Sequence, residues 1–134
     1  VWFITLIYGL FYLLFGKLAG GQGTFKQVMG VTYWAALIPY ILGYLVKLPI
    51  VFAKDSVREV SLGLAALAPN ADVLSTKFLA LTFFGDLFVW WGLIVTIIGF
   101  EKVHGMARGQ AAVVTILPWA LVTGAMFGLN LLFM

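Results

Sequence analysis

A chain of 134 residues that is 63% hydrophobic and only 10% charged, with a mean hydropathy of +1.10, has more apolar surface than a small soluble domain can cover with polar groups; it belongs in a membrane. The net charge of +3 is scattered over polar joints without a basic run, which argues against nucleic-acid binding and fits contact with anionic lipid head groups. Cysteine is absent, which excludes disulfides, iron–sulfur clusters and thiolate metal sites within this chain.

The first apolar run, 1–16, reads "VWFITLIYGLFYLLFG". It opens on Val1 in mid-run, and we read it as a spanning helix belonging to a longer polypeptide. It lacks the basic flank and small-residue cleavage site of a signal peptide. A polar joint, 17–27, follows. Its glycines Gly20, Gly21 and Gly23 allow a tight reversal. Thr24-Phe25-Lys26-Gln27 then has capping-box spacing, in which the Thr24 hydroxyl accepts from the Gln27 amide and the Gln27 side chain answers the Thr24 N–H. A phosphate-binding loop is excluded here, because no Gly-Lys-Ser or Gly-Lys-Thr occurs and an apolar helix, not a strand, comes before it.

The second span is expected over 28–52, interrupted by Pro39, Lys47 and Pro49. A polar connection, 53–77, follows it; Val57, Val60, Leu64 and Leu67 recur there at helical spacing and predict a short interfacial helix at about 56–68. The third span is expected over 78–100. The short joint "EKVHGMARG" leads to a fourth span over 111–134. About 20 apolar residues cross a hydrocarbon layer of ~30 Å, and runs without strict alternation are helices rather than barrel strands. The expected fold is therefore all-α, a four-span transmembrane bundle forming a single domain over 1–134. Pro39 and Pro118 should kink their helices, releasing carbonyls to neighbouring helices.

Four spans place the two short joints on one membrane side with Lys17, Lys26, Lys102 and Arg108, the candidates for lipid head-group contact. The long connection and the C-terminus fall on the other side with Lys47, Lys54, Arg58 and Lys77. Four cations face four, so the positive-inside rule does not choose an orientation.

Asp86 is the most costly residue. Eight positions into the third span, it would lie ~12 Å deep at 1.5 Å per residue. A carboxylate near mid-bilayer costs about 2.5–3.5 kcal/mol on insertion scales and should find a partner inside the bundle. Lys47 is the first candidate, ahead of Tyr40 and Tyr44, and the pair is expected to clamp helices together rather than to carry ions. Gly85, Gly92 and Gly99 recur every seven positions, and Ala120, Gly124 and Gly128 every four. Both series are small-residue faces that let helices approach closely, and internal packing is the expected use. His104, the single histidine, lies in a charged joint and reads as solvated or lipid-facing, which argues against pigment or metal ligation. Trp2, Trp34, Trp90, Trp91 and Trp119 read mainly as interface markers. No nucleophile–base–orienter set, His-Glu-x-x-His or paired carboxylate is present, so an enzyme is not expected.

"GGQGTFKQVMGVTYWAALIPYILGYLV", then "FAKDS", then "FFGDLFVWWGLIVTIIGFEKVHGMARGQAAVVTILPWAL" together resemble the Yip domain family of Ypt/Rab-interacting membrane proteins, especially its bacterial members. The similar elements are the Gly-Gly-x-Gly-Thr-Phe-Lys-Gln opening, an aromatic-Ala-x-x-Pro core, an Asp-Leu-Phe-x-x-Trp motif, a short basic joint and a Pro-Trp pair in the last span. The resemblance implies five spans, of which this chain would hold the last four, without the first span and the N-terminal tail. It implies cytoplasmic short joints and an inner- or plasma-membrane location if the source is bacterial. It also implies a non-catalytic role in organising membrane or binding proteins, with bound lipids and no cofactor. A small GTPase is a partner by family resemblance alone. Two other readings stand beside it: an accessory subunit packed with other subunits of a larger respiratory or photosynthetic membrane complex, and a small transporter or channel using Asp86.

Overall fold

The computed structural model describes residues 2–54, 80–82 and 84–132. Its principal elements are α1 (Trp2–Leu18), α2 (Phe25–Leu37), a single π-helical turn (Ile38–Leu42), α3 (Gly43–Lys54), α4 (Leu87–His104) and α5 (Arg108–Leu132). Among the described residues the chain is all-α. Three helical stretches are long and apolar enough to cross a membrane, Phe25–Ala53, Leu87–His104 and Arg108–Leu132, and Trp2–Leu18 is a shorter apolar helix. The interfacial helix expected at about 56–68 lies outside the described residues. The chain divides into two compact units, one of Val1–Ala36 with Leu93–Met134 and the other of Leu37–Gly92.

In the first unit, helix association cannot rely on expelling water, since lipid is as apolar as the helices themselves; close packing and internal hydrogen bonds must hold it. Both are present. Gly9 and Gly99 remove side chains where α1 meets Met29 and where α4 meets Val31, and a β-carbon at either position would overlap its neighbour. Tyr12, Val28, Phe100, Met106, Ala111 and Val114 form the buried apolar cluster. The Tyr12 and Phe100 rings meet edge to face at 5.2 Å, a favoured aromatic geometry. The Tyr8 and Thr123 hydroxyls join α1 to α5 at 2.8 Å. Buried Thr32 and Thr115 each donate to the carbonyl four residues back, at 2.8 Å, so neither hydroxyl is left unsatisfied.

Apolar side chains face outward. Trp2, Phe3, Leu18, Trp34 and Leu132 are among the most exposed residues of this unit, an arrangement that would promote aggregation in water and suits hydrocarbon.

In the second unit, Pro39 occupies the start of the π turn. Proline has no N–H to give to the helical ladder, and the turn closes instead with the Gly43 N–H donating to the Ile38 carbonyl. Gly43 then packs against the Phe88 ring. The third apolar segment departs from the expected 78–100 helix. Gly85 and Asp86 interrupt it, and α4 starts at Leu87.

Candidate functional site

Two groups of polar residues are built into the apolar helices, one in each unit. The first surrounds His104, the last residue of α4. Its side chain is 2% exposed, which corrects the expectation of a solvated or lipid-facing histidine. The reason lies in glycines some eighty residues earlier. Gly16 at the end of α1, and Gly21 and Gly23 in the joint, leave the space that the imidazole fills; a β-carbon at any of the three would overlap the ring. Gly20 turns the chain at φ +81°, a left-handed conformation open to glycine at little cost. The Gly23 N–H then donates to His104 Nδ1 at 3.1 Å, and the Gln22 N–H donates to the His104 carbonyl at 3.2 Å. Phe100, one turn back on α4, meets the imidazole edge to face at 5.5 Å. Nε2 is buried with no hydrogen-bond partner among the described residues.

These bonds tie the α1–α2 joint to the end of α4 and place both short joints at the same end of the unit. Beyond the turn, Thr24 and Gln27 form a reciprocal cap on α2. The Thr24 N–H donates to Gln27 Oε1 at 3.0 Å, and the Gln27 N–H donates to Thr24 Oγ1 at 3.3 Å. Lys17, Lys26, Lys102 and Arg108 are all exposed at this end. Arg108 also pairs with Glu101 at 3.1 Å across the α4–α5 joint.

The second group is Lys47 on α3 with Asp86 before α4. Lys47 Nζ lies 2.7 Å from Asp86 Oδ2, and the other carboxylate oxygen, Oδ1, accepts from the Phe88 N–H at 2.8 Å. Asp86 therefore caps the start of α4 and does not sit eight residues inside a continuous helix, so the depth counted along such a helix does not apply. The physical reason is that the first N–H groups of a helix need acceptors and a short carboxylate meets that need from the cap position. The turn is held from both sides: the Gly85 N–H donates to the Leu81 carbonyl at 2.9 Å, and the Trp90 indole N–H donates to the Phe84 carbonyl at 2.6 Å. The Lys47 ammonium also lies 5.9 Å from the centre of the Tyr44 ring.

The small-residue series divide. Gly85 and Gly92 are buried and Gly99 packs on Val31. On α5, Ala120 and Gly124 are exposed, and nothing described lies within 4 Å of a β-carbon placed at Gly124 or Gly128. Internal packing thus accounts for Gly99, while Gly124 and Gly128 meet open space. No group of three or more metal-ligating side chains occurs among the described residues. Sequence reasoning passed over Gly9, Gly16 and the Tyr8–Thr123 bond. Gly9 and Gly16 stand seven apart on α1, and that spacing was the available signal.

Apolar helices of spanning length with outward-facing hydrocarbon side chains define an integral, multi-pass α-helical membrane protein. The Yip1 domain model matches residues 1–129, and the chain belongs to the Yip1 domain family. No curated protein and no solved structure matches it.

Proposed function

We propose that this protein is a non-catalytic membrane scaffold that organises the bilayer or binds other membrane proteins. One observation carries the reading: the costly polar groups of its apolar segments are used in fastening the chain to itself. Asp86 commits one carboxylate oxygen to Lys47 and the other to the start of α4. His104 is spent on the α1–α2 joint. A transport path needs intramembrane ionisable groups available to a moving ion, and a carboxylate held in this way serves structure instead. In this reading the two short joints face the cytoplasm, and Lys17, Lys26, Lys102 and Arg108 contact anionic head groups there. Resemblance alone suggests a bacterial-type member and a small GTPase among its partners.

The open α5 face at Ala120, Gly124 and Gly128 favours a second reading, an accessory subunit whose neighbour packs on that face. Extraction from native membranes in mild detergent, native-gel sizing and mass spectrometry of comigrating proteins separates the two. The scaffold reading expects a small species with substoichiometric partners. A large complex of fixed stoichiometry would overturn it in favour of the accessory subunit. Solute or ion flux that Asp86→Asn abolishes without loss of assembly would overturn both.

A further inference from the structure

We propose that His104 is a proton-sensitive latch, which holds the α1–α2 joint against the end of α4 only while its imidazole is neutral. The inference goes beyond the scaffold reading and does not depend on it. It stands on the direction of one hydrogen bond. The Gly23 N–H donates to Nδ1, so Nδ1 must be an unprotonated acceptor, and a neutral ring then carries its proton on Nε2. A second proton has one place to go, Nδ1. There it would set N–H against N–H at 3.1 Å, and both ring nitrogens would have become donors.

Among the described residues the surroundings offer the imidazolium nothing in exchange. Nε2 is already buried without an acceptor among the described residues. Of the charged groups around the ring, Lys17 on α1 acts on it with repulsive sign. Glu101 on α4, three residues back, is held by Arg108 of α5. Lys102 on α4 and Lys26 on α2 are exposed cations, and the joint itself, 19–24, contains no titratable side chain. Gly16, Gly21 and Gly23 all abut the ring and confine it on the side of the joint. Protonation must therefore expel the ring. The Gln22 N–H bond to the His104 carbonyl sits at the same contact, and the two short joints part from one another. The sign follows directly: the latch is closed while the imidazole is neutral and is lost as the pH falls through the range in which the ring takes its second proton.

The chain suits a direct test, having one histidine and no cysteine. The full chain, without a histidine tag, is labelled with 15N-histidine and reconstituted in lipid vesicles; its imidazole is followed by NMR from about pH 7.5 to about pH 4.5, spanning the histidine range. A parallel sample carries a spin label on Gln22→Cys, attached at neutral pH, to report the mobility of the joint. The expected result is an Nε2-protonated ring with an accepting Nδ1 at high pH. It then becomes cationic, and the label is released with the same midpoint. In His104→Asn, where the amide oxygen replaces Nδ1 as acceptor without titrating, the label stays ordered throughout. The proposal is overturned by a proton on Nδ1 at high pH, by a ring that stays neutral to the lowest pH, or by a cationic ring in a joint that remains ordered. Release in His104→Asn with the native midpoint also overturns it. The NMR arm uses the native sequence, so it decides even if a variant fails to fold.

Discussion

The two units bury polarity in opposite ways. Around His104 the buried group is a ring that accepts from one backbone N–H and so is neutral, and fit comes from glycines that leave room for it. Around Asp86 the buried group is an ion, its partners are a cation and a helix start, and the fit comes from charge. A neutral ring in a cage is sensitive to added volume and to an added proton. An ion pair tolerates changes in volume but not the loss of either member. The difference teaches where each unit is fragile, and substitutions can test it.

The largest effect is expected at the ion pair. Asp86→Leu leaves the Lys47 ammonium buried without its counter-charge and should cost about 3–5 kcal/mol, while Lys47→Met with Asp86→Leu should recover most of that loss, as read by unfolding in mixed micelles. Next come the cage glycines. Gly16→Ala or Gly21→Ala forces the ring to shift and should cost about 1–3 kcal/mol; adding His104→Ala should make the combined cost smaller than the sum of the two. If the ring does not fill the cage, the two costs add. The α2 cap is smaller: Thr24→Ala should lose about 1 kcal/mol. Gly124→Ala gives the contrast to Gly16→Ala. It meets open space and should leave stability unchanged or raise it by up to about 1 kcal/mol, the usual helical preference for alanine.

What the sequence displayed and what it hid follow the same division. The helices were legible because three of the apolar runs are long enough to cross a membrane by themselves, and the first, Trp2–Leu18, is a shorter run of the same character. The Thr24–Gln27 cap was legible because its two members lie three residues apart and need no tertiary context. Asp86 announced its need for a partner through the cost of an isolated carboxylate in lipid. The break at Gly85–Asp86 was not legible, because hydropathy summed along a segment does not register a helix that stops and restarts within it. His104 was misread for a different reason. "EKVHGMARG" is a charged local setting, and the residues that bury the ring belong to another part of the chain. Only the coincidence of a lone histidine with glycines at 16, 21 and 23 hinted at a cage, and that coincidence becomes visible once the two joints are seen side by side.

The central claim is that buried polarity in this protein fastens the fold and performs no transport or catalytic step. The most direct measurement compares the native chain with the Lys47→Met, Asp86→Leu double variant for stability in mixed micelles and for comigrating proteins on a native gel. The account predicts a folded double variant, less stable than the native chain by only the lost α4 cap, about 1 kcal/mol, that migrates with the same partners. A double variant that folds to that stability but has lost those partners would contradict it, and would assign the ion pair a working role.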